Sequence, residues 1–85
     1  MKDLKLFIDD VEYLASPVAE GNPQVALEGY ENYNRFEARK SNAAHSTYSV
    51  LLPNDVWDRT SWFVAYWQKP SGDDSHLNRL FCFLK

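Results

Sequence analysis

The chain has 85 residues and a formal net charge of −3, with 45% hydrophobic and 25% charged residues, which suits one small domain spanning 1–85. Its single cysteine, Cys82, excludes an intramolecular disulfide. The N-terminal segment lacks the basic stretch and apolar core of a secretory signal, and no apolar run approaches the roughly 20 residues that span a bilayer, so the expectation is a cytoplasmic protein without membrane insertion.

The acidity is uneven. Up to Glu31 the acids are Asp3, Asp9, Asp10, Glu12, Glu20, Glu28 and Glu31, against only Lys2 and Lys5. A nucleic-acid binder needs a Lys/Arg stripe on the phosphate backbone, so this distribution disfavours one and suits a protein partner with basic groups. The competing reading is a solvated helix face.

From Asp3 to Ala15, Leu4, Phe7, Ile8, Val11, Leu14 and Ala15 recur at spacings of three and four, which predicts an amphipathic helix. Leu4, Leu6 and Ile8 also alternate as in a short strand. Ser16-Pro17 ends the element, and Gly21-Asn22-Pro23 is a start signal with Asn22 as N-cap. From Gln24 to Lys40, Ala26, Leu27, Tyr30, Tyr33 and Phe36 predict a second helix, with Glu31 four residues before Arg35 and a weak point at Gly29. Ser41 to Ser46 reads as a polar linker. Thr47–Leu52, Thr60–Lys69 and Asn78–Leu84 read as strands, separated by turn clusters at Pro53-Asn54-Asp55 and Pro70 to Asp74. Val56 to Trp67 also fits helical spacing, but its β-branched and aromatic content favours strand. The expected fold is α+β, two N-terminal helices packed on a three-stranded antiparallel sheet.

The run Trp62-Phe63-Val64-Ala65-Tyr66-Trp67 cannot belong to a strand with one wet face, because a half-buried strand alternates apolar with polar. Leu80-Phe81-Cys82-Phe83-Leu84 repeats the pattern. A chain this short has little with which to cover both faces, which points to a partner: another protein, or a second copy in a homodimer. In a strand Phe63 and Trp67 share one face and Trp62 and Tyr66 the other. The first pair is assigned to the core. Trp62 and Tyr66, with Trp57, are assigned to the partner, Arg59 and Arg79 framing the patch and Asp9, Asp10 and Glu12 steering association.

No catalytic, metal or cofactor site is expected. Asp73, Asp74 and His76 are the one compact group of metal-ligand types, but turn chemistry alone selects such residues. His45 stands in the polar linker, and Cys82 lies in an apolar strand where a thiol behaves as a small hydrophobe. The functional expectation is a non-enzymatic protein-binding module. In compactness, acidity and lack of motifs the chain resembles the inhibitors, immunity factors and anti-defence proteins carried by phages and mobile elements. The alternatives are a sugar or small-ligand binder using Trp57, Trp62 and Tyr66, or an enzyme with an unfamiliar site.

Overall fold

The computed structural model describes residues 3–18, 28–42, 47–68 and 77–84. Six strands run in chain order: β1 (Leu4–Ile8), β2 (Val11–Pro17), β3 (Tyr33–Lys40), β4 (Thr47–Pro53), β5 (Trp62–Gln68) and β6 (Asn78–Phe83). A short 3-10 turn, Val56–Asp58, joins β4 to β5. Each strand pairs antiparallel with the next, and β6 returns to β1, closing a barrel.

This corrects the expected fold. The described residues form an all-β barrel rather than α+β, and they contain no helix long and apolar enough to cross a membrane. The three expected strands are present as β4, β5 and β6, whereas both expected helices give way to strands.

The first helix is a hairpin. Asp9 and Asp10 sit at φ +50° and +65° between the paired Ile8 and Val11, the conformation a two-residue type I′ turn demands. Leu4, Leu6 and Ile8 alternate inward before the turn, and Val11, Tyr13 and Ala15 after it. The turn shifts the phase of a period-two pattern, so positions 8 and 11 fall three apart and the whole imitates a helical stripe. Phe7 and Leu14, which completed that stripe, stand on the opposite face of the ladder, paired with Glu12 and Lys5.

The second expected helix fails for a related reason. Tyr30, Tyr33 and Phe36 recur every three residues, but Gly29 takes φ +91° in a turn and Tyr33 begins a strand, so Tyr33 points out of the barrel and Phe36 into it. Glu31 accepts the Gly29 N–H at 3.1 Å, and Arg35 donates to Gln68 instead of pairing along a helix. The expected cap at Asn22, residues 24–27 of that helix, the linker's 43–46 with His45, and the 70–74 turn lie outside the described residues.

Alternation fills the barrel from all six strands. Leu6, Ile8, Tyr13, Ala15, Phe36, Ala38, Val50, Leu52, Phe63, Ala65, Leu80 and Cys82 form one buried cluster with Val56 of the 3-10 turn. Small residues beside large ones, such as Ala65 between Phe63 and Trp67, let large inward side chains fit a narrow barrel. At one end Tyr13, Tyr48 and Trp67 meet ring to ring, Tyr48 and Trp67 with centroids 5.4 Å apart. At the other end Trp57 tilts against Phe36 at 6.1 Å.

Candidate functional site

Because the interior is filled by inward side chains, functional groups must be sought on the outer wall and at the barrel's ends. The outward residues of β5 are Trp62, Val64 and Tyr66, and those of β6 are Arg79, Phe81 and Phe83, opposite one another across the ladder as Trp62↔Phe83, Val64↔Phe81 and Tyr66↔Arg79. Phe83 in turn pairs with Phe7 of β1. Trp62, Phe81 and Phe83 remain 51%, 52% and 53% exposed, which for three adjoining aromatic rings is a contiguous apolar patch rather than scattered surface hydrophobes. The Trp62 and Phe81 rings stack at a tilt with centroids 5.7 Å apart.

A cleft of about 510 Å³ opens beside this patch, lined by Ile8, Asp9, Asp10, Trp67, Arg79, Leu80, Phe81 and Phe83. The β1–β2 turn forms one wall and β6 the other. Among the described residues, β1 and β6 share the single pair Phe7↔Phe83, whereas every other neighbouring pair of strands has three or more. The cleft therefore sits where the barrel's last seam is least zipped. Neither Arg79 nor Asp9 nor Asp10 makes an ion pair among the described residues; the two ion pairs there are Arg39–Asp3 and Arg59–Asp55.

The outer wall over β3, β4 and β5 is built differently. Leu51 points outward yet is fully buried, flanked across the ladder by Arg35 and Tyr66. Tyr66 makes edge contacts with Tyr30 and Tyr33, at centroid distances of 4.9 and 5.4 Å. The outward polar groups beneath are satisfied: Ser49 Oγ donates to Gln68 Oε1 at 2.8 Å, and Arg35 Nε donates to the same oxygen at 3.3 Å. Burial pushes the Tyr33 hydroxyl above its ordinary pKa, with the neighbouring Tyr66 adding to the effect.

The residues singled out from sequence thus separate. Trp62 and Tyr66 share the outer face of β5, and Phe63 and Trp67 the inner one, but Trp62 joins the bare patch while Tyr66 belongs to the tyrosine cluster. Trp57 is half-buried against the core at the barrel's end, so Trp57, Trp62 and Tyr66 do not converge on one pocket. Asp9 and Asp10 are turn residues beside the patch, and Glu12 is held within the fold, accepting a hydrogen bond from Ser41 Oγ at 2.6 Å. Arg59 pairs with Asp55 next to Tyr33, away from the cleft, whereas Arg79 lines it. Asp73, Asp74 and His76 lie outside the described residues.

Phe7, Phe81 and Phe83 were not assigned to a surface from sequence, although period-two alternation within Leu80–Leu84 carries the signal, since Leu80 and Cys82 point in and the phenylalanines out. Burial pushes the Cys82 thiol up to about 12, so it stays protonated at neutral pH and packs as a small apolar group. Comparison with protein-family models, curated proteins and solved structures finds no match to this chain, and the functional reading rests on the geometry alone.

Proposed function

We propose that this chain is a non-enzymatic protein-binding module that works by burying the outer wall of β5, β6 and β1 against another protein surface. The observation that supports the reading is the half-exposed trio Trp62, Phe81 and Phe83 on a regular, fully paired β5–β6 ladder. Large rings held rigidly by a ladder lose little conformational entropy on contact, and aromatic residues with arginine are the side chains that dominate protein interfaces. Arg79 and the turn acids Asp9 and Asp10 give the patch a charged rim.

The reading is tested by affinity capture from the native host with the wild-type chain beside Trp62→Ala and Phe81→Ser. Both substitutions leave the inward core intact, so melting should be unchanged while captured protein falls by the roughly thirtyfold that a 2 kcal/mol hot spot implies. Capture unaffected by either change would remove this wall from the function.

A further inference from the structure

The cleft at the rim carries both signs on facing walls, Asp9 and Asp10 on the β1–β2 turn and Arg79 on β6, where the exposed Phe81 and Phe83 follow on the same outer face. A patch with an apolar centre and both charges beside it is self-complementary under a twofold axis, because residue i of one copy meets residue j of the other and the reverse contact follows by symmetry. We infer that a second copy of this chain covers the wall, about a twofold axis at the mouth of the cleft, with Arg79 of each copy facing Asp9 and Asp10 of the other. This rests on the docking reading above and names its occupant.

The areas agree. Three rings that each hide about 150–250 Å² when buried present, at half exposure, about 225–375 Å² of aromatic surface. A standard interface hides about 800 Å² per partner, roughly 56–65% of it apolar, so these rings supply about half or more of the apolar share. Phe7 and Val64, half-buried on the same wall, extend it. Among the described residues Arg79, Asp9 and Asp10 make no ion pair, so no described group competes with the second copy for these three charges.

Sedimentation equilibrium on the full chain and three variants tests the arrangement. Wild type should be a dimer at micromolar concentration. Arg79→Glu sets like charges opposite each other at both symmetry-related contacts, as does the double change Asp9→Lys with Asp10→Gly, in which glycine at the second turn position offsets the strain of lysine at the first. Each should weaken the dimer by about tenfold or more, and an equimolar mixture of the two should restore it as a heterodimer, since both contacts then join opposite charges. Phe81→Glu should weaken it by about thirtyfold or more, as expected of a central anchor. Circular dichroism confirms that each variant is folded.

A wild-type monomer at high micromolar concentration, a dimer indifferent to Arg79→Glu and Phe81→Glu, or a mixture that stays monomeric would each overturn the inference. The broader reading has a separate readout. If wild type is monomeric yet retains a host protein that Phe81→Glu loses, the second copy falls and the docking wall stands; if nothing depends on Phe81, both fall.

Discussion

The barrel presents two outer walls of similar composition and opposite condition. Over β3 to β5, Leu51 is fully buried, Ser49 and Gln68 are hydrogen-bonded beneath the surface, and Tyr30, Tyr33 and Tyr66 pack edge to edge. Over β5, β6 and β1, three aromatic rings of comparable size stand half in water. The difference is therefore not one of hydrophobicity. The first wall is closed by side chains of the chain itself, tyrosines packed edge to edge with the Tyr33 hydroxyl partly withdrawn from water beside Tyr66, whereas the second carries the half-exposed rings of Trp62, Phe81 and Phe83. A wall of phenylalanine half exposed on a well-paired ladder is the surface that the proposed docking would cover.

Substitutions on the two walls and in the interior should separate these roles. The largest loss is expected inside, where Phe63, only 2% exposed, is surrounded by the core; Phe63→Ala should cost about 3–5 kcal/mol in a denaturant titration. Leu51→Ala, on the covered wall, should cost about 2–5 kcal/mol despite pointing away from the barrel axis. A loss under about 0.5 kcal/mol, the level of an ordinary surface change, would show that this wall is no more closed than the other.

Asp10→Gly should act in the opposite direction. Asp10 holds φ +65° in the hairpin turn, where glycine avoids the Cβ clash, so thermal unfolding should report a gain of up to about 1 kcal/mol. Paired with weaker self-association, that gain would show an acid kept at a strained position for contact rather than for folding. The smallest effect on stability belongs to the bare wall: Trp62→Ala should shift folding free energy by no more than about 0.5 kcal/mol while association weakens.

Much of this contrast was legible in the sequence, and the rest failed for identifiable reasons. The unbroken apolar run Trp62–Trp67 signalled a strand with two demanding faces, and alternation placed Phe63 and Trp67 on one and Trp62 and Tyr66 on the other, as the β5 register has them. What alternation could not show is that the outer face divides, because whether Tyr66 is covered depends on Tyr30 and Tyr33, brought in from a distant segment. The N-terminal hairpin was hidden by its own turn. Asp-Asp is a weaker hairpin signal than Asn-Gly or Asp-Gly, and a two-residue turn between alternating strands produces the three-and-four spacing of a helix. The acids Asp9, Asp10 and Glu12 were likewise read as helix residues, whereas Asp9 and Asp10 are turn residues and Glu12 a strand residue bonded to Ser41.

The most direct test of the bare wall uses its own tryptophan. The chain contains three tryptophans, so the variant Trp57→Phe with Trp67→Phe leaves Trp62 as the sole indole reporter. Its emission maximum and acrylamide quenching should be followed from nanomolar to high micromolar protein. Burial of the wall against a second copy predicts a concentration-dependent blue shift and protection from quenching, both abolished by Phe81→Glu. Emission and quenching of a water-exposed indole at every concentration, in a variant shown by circular dichroism to be folded, would contradict the account.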